Sequence, residues 1–164
     1  MSCPLPDPLP AEPDATLEER AHTAYQNDFG PACPLAQFQT GQIKVSRRPH
    51  IANPAREHSY WHTVTFGFPE DTRVRPDKIR LRRVPWVHPI LTGWPHLKVW
   101  WEMREASVHW NIWHTTQRHV VIVKELANGD YLLKTAYPTD SDVTTWHRRF
   151  SEAKKTRRAL ADAP

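Results

Sequence analysis

Apolar spacing along the chain predicts helices first, strands in the middle and a helix at the end. Residues 1–13 alternate proline with small or acidic residues (Cys3-Pro-Leu-Pro-Asp-Pro-Leu-Pro10). Proline fixes φ and removes a backbone donor, so a disordered, extended tail is expected there. A helix is predicted over 14–27, with Asp14 or Thr16 as N-cap and Gly30-Pro31 as its stop. Residues 31–55 read as loop, with one short strand at 42–45. The run Arg56-Glu57-His58-Ser59-Tyr60-Trp61-His62 predicts a second helix over 55–66, which sets His58 and His62 on one face and turns Trp61 to the core. A charged, proline-bounded connection over 68–76 follows.

From residue 78 onward the pattern becomes strand-like. Ile79, Leu81 and Val84 alternate with basic residues up to Pro85, which suits an edge strand. Further strands are predicted at 97–104, 111–116 (or a merely extended approach there), 119–126 and 130–137. Asn128-Gly129 joins the last two as a two-residue type I′ hairpin turn. That register opposes Thr135 to Ile122, Tyr137 to Val120 and Leu133 to Lys124, and it puts Lys134 on the other face. A basic helix over 141–161 closes the chain. The fold class expected is therefore α+β: N-terminal helices packed on one face of a small four-stranded antiparallel sheet, with a C-terminal helix. The tail (1–13) precedes a single domain (14–164).

Charge sharpens the picture. The total is +4, but residues 1–37 hold six acids against one base, so residues 38–164 carry +9. A domain of that charge favours polyanions, nucleic acid first, and the acidic N-terminal third would cover the basic site in cis. Eight Trp argue against disorder, and adjacent Trp100 and Trp101 must point to opposite faces of a strand, so at least one belongs to the core. Cys3 and Cys33 show neither zinc spacing nor a disulfide framework, which suits a reducing, cytoplasmic compartment. No secretory pattern and no run of about 18 apolar residues is present, so no membrane partner is expected.

Three groups of residues carry possible chemistry. His58 and His62 have metal-chelating spacing, yet a metal site needs further ligands, and the zinc-protease Glu is absent between them. A proton-relaying imidazole and an inert helical histidine are the other two readings. Arg80, Arg82 and Arg83 could neutralise phosphate or simply protect a sheet edge. Thr135 and Tyr137, with Lys124 on their face, could orient a phosphate or merely fill strand positions.

The stretches 56–62, 80–86, 119–124 and Tyr131-Leu-Leu-Lys-Thr-Ala-Tyr137 resemble small phage and bacterial proteins of the barnase, EndoU, colicin and RelE-like (BECR) superfamily of ribonuclease toxins. The resemblance implies helices before a four-stranded antiparallel sheet. It also implies metal-independent RNA cleavage by 2′-OH attack on the phosphate. His58 or His62 would be base or acid, Arg82 would hold the phosphate, and Thr135 and Tyr137 would orient it. Arg80, Arg83, Lys124 and Arg104 would bind RNA, with no cofactor, no metal, and a cognate antitoxin or immunity protein as partner. The rival class is a non-catalytic nucleic-acid- or protein-binding module that uses the same basic surface.

Overall fold

The computed structural model describes residues 3–67 and 69–160. Phe68, where the predicted connection begins, Ala161, where the final helix was expected to end, and the first two residues of the tail fall outside them. Helix α1 (Asp14–Phe29) buries Leu17, Ala21, Tyr25 and Phe29, a one-turn repeat that gives it a single apolar stripe. Neither Asp14 nor Thr16 is its N-cap. That position is Pro13, and no side chain caps it. Strands β1 (Gln37–Phe38), β2 (Gly41–Lys44), β3 (Pro49–His50) and β4 (Asn53–Glu57) fill the segment expected to be mostly loop. Helix α2 (His58–Val64) then starts directly from β4 and is buried at all seven residues.

The expected edge strand at 78–85 is a helix, α3 (Lys78–Arg82), followed by a helical turn at Val84–Trp86. Asp77 decides this: its carboxylate accepts the Arg80 backbone N–H at 2.9 Å, an N-cap that helical residues use and strand residues do not. Leu81 of the helix and Val84 of the turn after it both face the core, while Ile79 stays 51% exposed. Helix α4 (Val87–Thr92) follows. Strands β5 (Lys98–Arg104), β6 (Ser107–His114), β7 (His119–Glu125) and β8 (Tyr131–Pro138) form a consecutive antiparallel meander, and helix α5 (Val143–Lys155) ends the ordered elements.

The sheet corrects the expected architecture. It has six strands in the order β1-β2-β8-β7-β6-β5 and is mixed, because β2 runs parallel to β8. A separate two-stranded sheet pairs β3 with β4. Helices also cover both faces rather than one. On one side Tyr25, Tyr60, Trp86 and Ile90 from the helices meet Val99, Ile112, Val121 and Leu133 from the sheet. On the other, Trp146 and Phe150 of α5 pack on Trp100, Trp113, Val120 and Ile122. Trp100 is fully buried in this second core, and Trp101 lies half-buried against the first.

The proline-rich segment carries no helix or strand, but it is anchored rather than loose. Leu9 and Arg82 exchange hydrogen bonds (Leu9 N–H to the Arg82 carbonyl, 2.8 Å; Arg82 Nε to the Leu9 carbonyl, 2.7 Å). The Trp86 indole donates to the Pro6 carbonyl at 2.8 Å, and Leu5 and Leu9 rest on the first core.

Candidate active site

The site grows from an irregularity in β8. Next to β2 the strand has a regular neighbour through Leu132. Beyond it, α2 takes the place of a strand: the Ser59 hydroxyl donates to the Leu133 carbonyl (3.1 Å), and the Thr135 hydroxyl donates to the His62 carbonyl (2.8 Å). Pairing with β7 holds the expected register at Val120–Tyr137 and Ile122–Thr135, then slips to Val123–Leu133 and Lys124–Leu132. Lys134 is the extra residue of this β-bulge. The bulge removes the strict alternation that would have put Lys134 opposite Thr135, and both line one concavity. The expected opposition of Leu133 to Lys124 is accordingly wrong by one residue. So is the turn, which spans Leu126–Gly129: the Gly129 N–H donates to the Leu126 carbonyl (3.0 Å), with Gly129 at φ 84°.

The concavity has a volume of about 290 Å³ and three walls. His62, Gly67 and Arg73 come from α2 and the loop after it. Arg104, Glu105 and His109 come from the β5–β6 hairpin, and Ile122, Lys134 and Thr135 form the remaining side. The loop is tied down by the Trp61 indole, which donates to the Arg73 carbonyl at 2.6 Å, while the Arg73 guanidinium donates to the Thr65 carbonyl at 3.0 Å. Arg104 is oriented by Glu102 (3.1 Å) and the Asn111 amide oxygen (3.3 Å). Burial alone would raise the Glu102 pKa, but bonds from Arg149, Trp100 and Arg104 outweigh it and bring the carboxyl down to about 2. Glu105 and Ala106, the two residues joining β5 to β6, both have positive φ (48° and 57°). Neither is Gly or Asn, so the hairpin rim beside Arg104 carries backbone strain.

Both imidazoles of the basin have lowered pKa values. His62 is 7% exposed, and burial, then the charges of Arg73, His58 and Lys134, depress its pKa to about 2. The His109 pKa is lowered by burial first and by Arg104, Lys134 and Lys124 second. Behind His62, the His58 ring stacks at 4.3 Å between centroids, and His50 lies 5.2 Å from His62 and 5.4 Å from His58. The ligand nitrogens of the three lie within 4.8 Å of one another. The metal reading of His58 and His62, one of three open in the sequence, lacks a further ligand there; the β3–β4 hairpin supplies His50.

No family model matches the chain, and no curated protein or solved structure is significantly similar to it. The resemblance to BECR ribonucleases therefore rests on the residue pattern alone.

Of the residues singled out in the sequence, His62, Thr135 and Arg104 line the basin, with His58 directly behind. Tyr137 and Arg80 pack on each other instead: the guanidinium sits 5.1 Å from the Tyr137 ring, donates to the Thr65 carbonyl, and has its pKa lowered to about 10 by burial. Arg82 is occupied by Leu9, and Arg83 pairs with Asp140 (2.9 Å) over the Trp86 ring. Lys124 lines a separate shallow depression with Ser107 and Glu125. The edge-strand assignment caused the arginine error: on a helix Arg80 and Arg82, two residues apart, diverge by about 200° and lose the common face that a strand would have given them. His109 and His50 were missed, and Arg73, the first residue of the basic run over 73–83, stood outside the expected site residues. His109 alone had a legible signal, since it shares strand parity with Asn111 and with Trp113. No helix among the described residues is long and apolar enough to cross a membrane.

Proposed function

We propose that the basin binds the phosphodiester of single-stranded RNA and cleaves it by attack of the 2′-OH on the adjacent phosphorus. The observation that carries this is convergence: Arg73, Arg104 and Lys134 meet a neutral imidazole and the Thr135 hydroxyl in one concavity. Three cations suit a phosphorane better than they suit any neutral substrate, and guanidinium groups match phosphate oxygens bidentately. In the step proposed, His62 takes the 2′-OH proton as the 2′-oxygen–phosphorus bond forms. The phosphorus–5′-oxygen bond breaks, and the Lys134 ammonium gives a proton to the departing 5′-oxygen. The products are a 2′,3′-cyclic phosphate and a 5′-hydroxyl.

Burial and the charges of Arg73 and Lys134 make His62 a weak base. A bound phosphate supplies the opposite charge and raises its basicity at the moment it is needed. A toxin-like role with a covering antitoxin is part of the same proposal. Incubating the protein with single-stranded RNA in EDTA tests it. Cyclic-phosphate products that vanish in His62→Ala are expected. Intact RNA with a salt-sensitive gel shift would instead identify a binding module.

A further inference from the structure

His50, His58 and His62 come from two pieces of chain that the fold binds together before any ligand arrives. The β3–β4 ladder pairs Pro49 with Glu57, the His58 N–H donates to the Arg48 carbonyl (2.8 Å), and the Ser59 N–H donates to the Ser46 carbonyl (3.2 Å). This lashing seats His50 against the first turn of α2. His58 and His62 project from the same helix face one turn apart, the spacing by which a helix presents two imidazoles to one ion. All three rings are buried (0%, 6% and 7% exposed).

We infer that His50, His58 and His62 form a three-nitrogen site for a first-row transition dication, whose capture withdraws His62 from the chemistry of the basin. The second half rests on the function proposed above; the first does not. Imidazole nitrogens select zinc, cobalt, nickel or copper over magnesium and calcium, which require oxygen ligands. Ligand nitrogens in a tetrahedral zinc site stand about 3.3 Å apart, given bonds of about 2.0 Å, so a cluster spread over 4.8 Å closes by modest ring rotations. Among the interactions an ion displaces is the Ala52 N–H donated to His50 Nδ1 at 3.0 Å in the turn between β3 and β4. Arg73 and Lys134 oppose a further positive charge near His62. An anion in the basin offsets them and takes the coordination position that three protein ligands leave open. The route in is the basin itself, because His62 lines it.

The test uses the full chain, stripped with EDTA and desalted, then titrated with Co²⁺ by visible absorption and with Zn²⁺ by competition. One ion per chain with a ligand-field band is expected. His50→Ala and His58→Ala should each weaken binding by more than about 100-fold, beyond the loss of an outer-shell partner. Circular dichroism and metal-free melting compare the variants with the wild type. Absence of saturable binding, or binding as tight in a folded His50→Ala protein, overturns the site. Zn²⁺ should abolish RNA cleavage by the wild type and spare His50→Ala. Cleavage that requires added ion overturns the silencing role. A protein that gives the Co²⁺ band but never cleaves RNA overturns the basin chemistry and leaves the metal site standing.

Discussion

Replacing Lys134 with Ala removes one of the three cations that line the basin, and its consequence for RNA binding can be worked out in advance. Each neutralised phosphate of a single strand contributes about −0.7 to the slope of log K against log salt. Three cations shared between the scissile phosphate and its two neighbours therefore give a slope of about −2, so affinity falls roughly 20-fold between 50 and 200 mM salt. Lys134→Ala should reduce the slope to about −1.4 and the same loss to about sevenfold. Lys78→Ala is the control, since that ammonium pairs with Asp14 (2.9 Å) and does not line the basin. Fluorescence anisotropy of a short labelled RNA at five salt concentrations measures both slopes. A wild-type slope near zero, or one that Lys134→Ala leaves unchanged while Lys78→Ala lowers it, refutes the placement of the phosphate.

Stability makes three further predictions. Ala106→Gly relieves a positive φ of 57° and should raise stability by about 1 kcal/mol in urea unfolding; a loss of stability would contradict the strained rim. Asp77→Ala deletes the cap of α3 and should cost about 1 kcal/mol, with no effect expected if the 2.9 Å bond is not made. His119 is wholly buried, and burial followed by the charges of Arg83 and Arg80 lowers its pKa to about 3. The unfolded chain takes up a proton below about pH 6.5 and the native one does not, so this contribution is complete above pH 6.5 and shrinks by about 1.4 kcal/mol per unit as pH falls. At pH 5 it has lost about 2 kcal/mol, and His119→Leu should show a shallower acid slope than the wild type by that amount.

What the chain reveals in advance divides along the line between local and long-range causes. Helix α1 and the His58–His62 face follow from spacing within one or two turns, and the far half of the β7–β8 hairpin keeps its expected partners up to Ile122–Thr135. The near half does not, because a bulge at Lys134 leaves no mark in an alternating pattern. The 78–85 segment fits both a strand and a helix by apolar spacing. Asp77, a single capping residue just before it, decides the outcome. The parallel contact of β2 with β8 joins residues nearly ninety positions apart, which no local signal foretells. The basin's parts are also distant in sequence: Arg73, Arg104 and Lys134, at least 30 positions apart, lie on a loop and two strands, and only the folded sheet brings them together.

The most direct measurement is the product of a single-stranded RNA oligomer incubated in EDTA with the wild type and with His62→Ala. The proposal predicts fragments ending in 2′,3′-cyclic phosphate from the wild type and a rate at least about 100-fold lower from the variant, the usual worth of a general base. RNA left intact by the wild type, or cut equally fast by His62→Ala, would contradict it.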